Sequence, residues 1–278
     1  MLSTDNHSRD SAGLRYVYPV VSRRAGGVSV GINLNVNNAC NWACVYCQVE
    51  GLVRGGPPPL DLAVLESELG GFLNDVLHGD FMHRAVPPEA RRLVDVAFSG
   101  NGEPTSAPAL EAALEIVGRV LAQHGLLGQL PVRLISNGSL MHRPAVQSAL
   151  SRLGALGGEL WFKIDRATLE GVRAVNQVAP TPERVARLLD LSLARVPTWV
   201  QTCWFGLDGV APGEAEEAAY CRLLAPFAHR LLGVHLYGLA RPSAQPAAGR
   251  LSALPVSVLE AFASRITGET GIPVRVSP

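Results

Sequence analysis

From Gly27 onward, the apolar positions switch back and forth between two periods, and the switches lay out the chain. Val28–Val36 alternates with period two, placing Ile32, Leu34 and Val36 on one face and Asn33, Asn35 and Asn37 on the other. Leu60–Leu77 then repeats at helical spacing, with Leu62, Leu65, Leu69, Phe72, Leu73 and Val76 on one side. The exchange recurs down the chain. Strands are predicted at Leu93–Phe98, Val132–Ile135, Leu160–Ile164, Thr198–Phe205 and Val234–Tyr237, and helices at Ala107–His124, Pro144–Leu153, Pro182–Ala194, Glu214–Leu232 and Val256–Ile266. Pro273–Val276 offers a last short strand, and residues 1–25 show no periodicity.

Strand–helix units in series demand a parallel sheet with right-handed crossovers. Six units are too few for a closed eight-fold barrel, so the expected fold is α/β, a partial (βα)6 barrel of parallel strands with outer helices. Residues 1–26 read as an N-terminal extension and 27–278 as one barrel domain. In such sheets ligands sit at the carboxyl ends of the strands. The polar and glycine-rich stretches that stand out in this sequence fall there.

Composition narrows the class. The 278 residues are 47% hydrophobic and 17% charged with no net charge, which supports a sizeable core and excludes wholesale disorder. No run approaches the about 18 apolar residues of a membrane span, and the opening Met1–Asp10 is polar, so a cytosolic protein is expected. Zero net charge argues against a general nucleic-acid or anionic-membrane binder. Two details change the picture further. Three of the five cysteines, Cys40, Cys44 and Cys47, cluster, while Cys203 and Cys221 stand apart. The basic side chains comprise 23 arginines and a single lysine, Lys163.

The cluster lies in NACNWACVYCQVEG with spacing C-x3-C-x2-C, directly after a predicted strand. Three thiolates on a short loop can hold three irons of a [4Fe–4S] cube and leave the fourth open for a ligand. Zinc is the rival reading, although structural zinc takes four closed ligands and no second knuckle or close histidine is present. With Tyr46 before the last cysteine, the stretch resembles the signature of radical S-adenosylmethionine enzymes. The resemblance implies that Cys40, Cys44 and Cys47 carry the cluster, that S-adenosylmethionine chelates its open iron, and that an external flavodoxin or ferredoxin supplies an electron. An oxidoreductase, lyase or transferase that makes a 5′-deoxyadenosyl radical is then expected.

Later segments extend the resemblance. Ser99-Gly100-Asn101-Gly102-Glu103-Pro104 is similar to the Gly-Gly-Glu-Pro motif that meets the ammonium of S-adenosylmethionine. Asn101 replaces a glycine there, a mild change because Asn also tolerates positive φ. Ser136-Asn137-Gly138 resembles the turn near the ribose or carboxylate. The implied cofactor-binding set is Tyr46, Gly100, Asn101, Gly102, Glu103 and Asn137. Alternation puts Trp161, Lys163 and Asp165 on one face of their strand, and Lys163 with Asp165 are the candidate catalytic pair. A lysine can lose its proton, form a Schiff base or act as a compact charge, which arginine does poorly. Asn33, Asn35, Gln201 and Arg241 are substrate candidates, with His235, Tyr237 and Cys203 on the far wall.

Within the superfamily, NLNVNNACNWACVYCQ, FSGNGEPT and LYGLARPSA look closest to wyosine-type tRNA synthases. The absence of a basic arm weakens a tRNA substrate. An activase of a glycyl-radical enzyme is the alternative, and a non-catalytic Fe–S sensor the alternative of another class.

Overall fold

Eight strands form one curled sheet in the computed structural model, which describes Leu2, residues 13–22 and residues 26–278. They are β1 (Val17–Ser22), β2 (Gly27–Ile32), β3 (Leu93–Phe98), β4 (Val132–Ser136), β5 (Glu159–Lys163), β6 (Thr198–Cys203), β7 (Gly233–Tyr237) and β8 (Val274–Ser277). Spatial order follows chain order. Every neighbouring pair from β2 to β8 is parallel, and β1 runs antiparallel to β2. The fold is therefore the α/β partial barrel, six strand–helix units long, with one strand added at each edge.

The helices are α1 (Leu62–His78), α2 (Phe81–Ala85), α3 (Leu110–Gln123), α4 (Pro144–Ala155), α5 (Leu169–Asn176), α6 (Pro182–Leu193), α7 (Glu214–Leu224) and α8 (Val256–Thr270). Around the outside, α1 packs on α3, α3 on α4, α4 on α6, α6 on α7 and α7 on α8. Their apolar stripes cover the outward face of the sheet. Val28, Val30 and Ile32 of β2, Val96 and Phe98 of β3 and Leu65, Leu69 and Leu73 of α1 belong to one buried cluster. With a side-chain period of two, the intervening residues face inward. That inner face is polar and aromatic. Ser29 donates to Asp95, Asp95 pairs with Arg133, and Arg133 Nε reaches Glu159 Oε1 at 2.7 Å. His235 lies between the rings of Trp161 and Trp199, each 4.3 Å away.

Four sequence expectations need correction. Within the segment read as an extension, Val17–Ser22 is a full strand of the sheet, while residues 1, 3–12 and 23–25 lie outside the described residues. Strand β2 ends at Ile32, one residue short of a last bond from Asn33 N–H to the Tyr16 carbonyl, and the alternation beyond it belongs to a loop. The helix expected over Glu214–Leu232 stops at Leu224 and passes into a tighter turn at Ala225–Phe227, where Pro226 cannot donate to the helical ladder. Helices α2 and α5 were not foreseen. Among the described residues no helix is long and apolar enough to cross a membrane.

Gly31 pairs with Tyr18 across β1 and β2, and a Cβ at Gly31 would run into the Tyr18 ring. The ring is buried, and its hydroxyl is 2.7 Å from Ser99 Oγ, so it has little freedom to retreat. Gly31→Ala should lower the urea unfolding midpoint by an amount equal to about 1–3 kcal/mol of overpacking. An unchanged midpoint would show that β1 does not seat Tyr18 over Gly31.

Candidate functional site

Between β2 and α1 the chain carries its three clustered thiols on a loop with almost no regular structure. Ala39–Cys40 pairs with Val53–Arg54, and Cys47 N–H returns to the Cys44 carbonyl at 3.0 Å. Most of the remaining support comes from elsewhere. Val45 N–H donates to the Val175 carbonyl at 2.8 Å, and Ala43 N–H to the Asn176 carbonyl at 3.4 Å, docking the loop on the last turn of α5. Arg54 bonds the carbonyls of Asn41 and Gln177, both at 2.8 Å. The segment after β7 grips the other side: Ser243 Oγ donates to the Val45 carbonyl at 2.7 Å, Ala244 N–H to Cys47 at 2.9 Å and Gln245 Nε2 to Val49 at 2.8 Å.

All three cysteines line one cavity of about 330 Å³ at the carboxyl ends of the strands. The turn at 99–103, Asn137, Lys163, Gln201 and Arg241 also line it. Exclusion of water pushes the Cys40 thiol up to about 11 and Cys44 up to about 12. Both are therefore thiols at neutral pH without a metal, and ligation has to release their protons. Two sulfurs receive hydrogen bonds. Trp42 N–H reaches Cys40 Sγ at 3.4 Å, and Asn176 Nδ2 reaches Cys44 Sγ at 3.2 Å.

The two polar turns interlock through Glu103. Its carboxylate accepts from Thr105 N at 3.0 Å, Thr105 Oγ1 at 2.5 Å, Ser136 Oγ at 2.6 Å and Asn137 N at 2.7 Å. Burial nonetheless holds its pKa above the usual carboxylate range. Gly100, at φ +153, passes so close to Asn33 that a Cβ would overlap the amide, and one at Gly102 would overlap the Ala39 carbonyl. Asn101 is not at positive φ, so its tolerance of that region is not called on. Its side chain instead donates to Asn38 Oδ1 at 2.6 Å. Asn137 ties its turn to the thiol loop by donating to Asn41 Oδ1 at 2.8 Å, and Asn41 in turn donates to Ser139 Oγ at 2.8 Å.

Lys163 ends β5 beneath the thiol loop, and Asp165 follows two residues on. Asp165 Oδ2 accepts the Tyr46 hydroxyl at 2.6 Å and Asn176 Nδ2 at 2.8 Å, while Oδ1 accepts Cys203 N–H at 3.0 Å. The Lys163 ammonium donates to the Tyr46 hydroxyl, lies 3.5 Å from the Tyr237 hydroxyl and sits 4.0 Å from Asp165 Oδ1. Burial alone would lower its pKa, but Asp165, with Tyr237 and the nearby thiols, holds it above the ordinary lysine value. Of the three roles open to a lysine, the geometry favours a fixed compact cation.

Asn33 and Asn35, expected as substrate candidates, are buried outside the cavity lining and bonded to the backbone around them. Asn33 Oδ1 accepts the N–H groups of Asn35 and Asn101, both at 3.1 Å, and Asn35 Nδ2 donates to the Ala39 carbonyl at 2.9 Å. The Asn33 amide is a strut between the thiol loop and the 99–103 turn, and the Asn35 amide braces the loop and lies 3.4 Å from Ser106 Oγ. Gln201 is buried on the cavity wall, and Arg241 Nη1 lies 3.4 Å from Gln48 Oε1 beside Cys47. Sequence reasoning missed Asn41, Asn176, Ser243 and Gln245. Asn41 and Ser243 had a signal, lying inside the quoted stretches NACNWACVYCQVEG and LYGLARPSA.

The donor set fits an iron–sulfur cube. Among the described residues no three His, Cys, Asp or Glu side chains converge on one ion. A cube does not require that, since its irons take one thiolate each. The surrounding walls supply N–H donors to sulfur and leave space beside the thiols.

No family model matches the chain. It is 27% identical over 174 residues to a UPF0026 protein of Helicobacter pylori, a match covering 62% of this chain and 48% of that protein. The chain thus spans about half the length of the curated relatives it matches. Among solved structures, a radical SAM methyltransferase from Sphaerobacter thermophilus superposes with TM-score 0.57 at 17% identity, over 94% of this chain and 68% of that one. Streptococcus suis SuiB bound to S-adenosylmethionine superposes with TM-score 0.56 at 8% identity, over 91% and 47%. The partial barrel of this chain is the fold of those proteins.

Glu103→Gln replaces an acceptor oxygen by an amide that faces incoming donors. It should cost about 1–3 kcal/mol in stability, read by urea unfolding of the purified chain. An unperturbed midpoint would mean that the two turns do not depend on this carboxylate.

Proposed function

We propose that this chain is a radical S-adenosylmethionine enzyme, with Cys40, Cys44 and Cys47 holding a [4Fe–4S] cluster. The observation that carries the proposal is shared space: the three thiols and both polar turns open on one cavity. When bound there, the cluster supplies the electron that splits S-adenosylmethionine into methionine and a 5′-deoxyadenosyl radical able to take hydrogen from a substrate.

The chain's own residues prepare the site. Gly100 and Gly102 let the turn close on Asn33 and Ala39, which sets its backbone groups beside the thiols for an ammonium near the irons. Glu103 and Asn137 act through position. Their side chains hold the two turns and the thiol loop in register, so they organise the site before any ligand arrives. Lys163 contributes a fixed positive charge among Tyr46, Tyr237 and Asp165, suited to hold an electron-rich or anionic group of a substrate. Gln201 and Arg241 supply further polar contacts on the wall. The electron is assigned to an external flavodoxin or ferredoxin. The substrate is a hydrogen donor that enters the barrel mouth, and a wyosine-type tRNA base is one candidate.

The test is anaerobic reconstitution with iron and sulfide, followed by S-adenosylmethionine and dithionite, with 5′-deoxyadenosine quantified. The wild-type chain should release it, and Cys44→Ala, folded by circular dichroism, should release none. A full cluster without cleavage would support a sensor instead. Zinc in place of iron would overturn the assignment.

A further inference from the structure

Cys44 is treated differently from the other two thiols. Its flanking residues, Ala43 and Val45, both donate backbone N–H groups to the last carbonyls of α5, those of Asn176 and Val175. The loop is therefore already held there by the main chain. Asn176 adds a side-chain contact on top. Its carboxamide nitrogen lies 3.2 Å from Cys44 Sγ and 2.8 Å from Asp165 Oδ2, so its two N–H bonds serve one acceptor each. Only 1% of the surface of Asn176 is exposed, so its amide is withdrawn from bulk water.

The chemistry of that bond is specific. A hydrogen bond to a cluster sulfur stabilises the more negative, reduced state, and such bonds are among the factors that set iron–sulfur potentials. In a site shielded from water the effect is stronger than at a surface. Asp165 fixes the amide plane, because a carboxylate on one N–H leaves the other with a single direction. Cys40 receives only the longer backbone contact from Trp42, at 3.4 Å.

We infer that Asn176 is a positioning residue that raises the reduction potential of the cluster through its N–H···S bond to Cys44, with Asp165 orienting the amide. The inference rests on the cluster reading proposed above and assigns a role to a residue outside every motif of the chain.

The experiment compares three full-length, anaerobically reconstituted proteins by potentiometric titration with EPR detection: wild type, Asn176→Leu and Thr168→Ala. Leucine keeps the volume and removes both N–H groups. Thr168 caps the far end of α5 by accepting from Gly171 N–H at 3.0 Å, so its loss loosens the helix without touching Cys44. Asn176→Leu should shift the midpoint to more negative values by about tenfold in the one-electron equilibrium, which is about 59 mV. Thr168→Ala should match the wild type. A loaded Asn176→Leu cluster with the wild-type midpoint would overturn the inference while leaving the cluster reading intact. If Asn176→Leu fails to load, Asn176→Ala repeats the measurement. Failure of both to load in a folded chain would make Asn176 an assembly residue and also overturn the tuning role. A wild-type chain that takes no cluster would instead defeat the underlying function proposal.

Discussion

A carboxylate cut off from water needs its partners fixed around it, and Asp165 is such a group, with its side chain 0% exposed. Its two oxygens collect the Tyr46 hydroxyl from the thiol loop, the Asn176 amide from α5 and the Cys203 N–H from β6, with the Lys163 ammonium at 4.0 Å. Each donor belongs to a different element. None can move far without leaving a buried negative charge short of a hydrogen bond, so the carboxylate ties the loop, the helix and the two strands into one arrangement. The charge of Lys163 and the direction of the Asn176 amide both follow from it.

The periodic parts of the fold were legible because period alone decides them. Six strand–helix units can be counted from apolar spacing, and β3 lies where the sequence places it. The errors have local causes. Strand β1 escaped notice because Pro19 interrupts the run, and an edge strand is the place where a sheet tolerates that residue. Helix α5 has only eight residues and few buried apolar positions, Val172 and Val175 among them, too few to impose a helical period. The alternating asparagines misled in the opposite direction. Asn33, Asn35 and Asn37 have the spacing of a strand face, but Asn33 and Asn35 serve a loop whose bonds to the 99–103 turn no local pattern reveals.

The site was legible in its chemistry and not in its wiring. The cysteine spacing, the glycine-rich turn and the lone lysine among arginines can all be read one residue at a time. Asn176 and Gln245 cannot, since each reaches the thiol loop through a partner more than a hundred positions away. The same limit explains the revised view of Glu103 and Asn137. Their residue types suggest direct contact with a ligand, yet their side chains are occupied in joining two turns and the thiol loop. Preorganisation of this kind leaves backbone groups to meet a ligand and lets side chains set the distances between them.

The dependence of the thiol loop on remote partners has a consequence for the order of folding. Ser243 and Val45, which bond directly, are separated by 198 positions, and Asn176 and Cys44 by 132. During synthesis the cysteines therefore emerge long before the groups that shape their loop. Loop-closure entropy disfavours closing contacts across such spans ahead of the nearer strand–helix contacts. The thiols spend that interval without their final geometry, accessible to oxidants or to the wrong metal. Under the proposed cluster reading, metal delivery would be a step for the finished barrel, and a nascent chain stalled before α5 would present three cysteines with no template to arrange them.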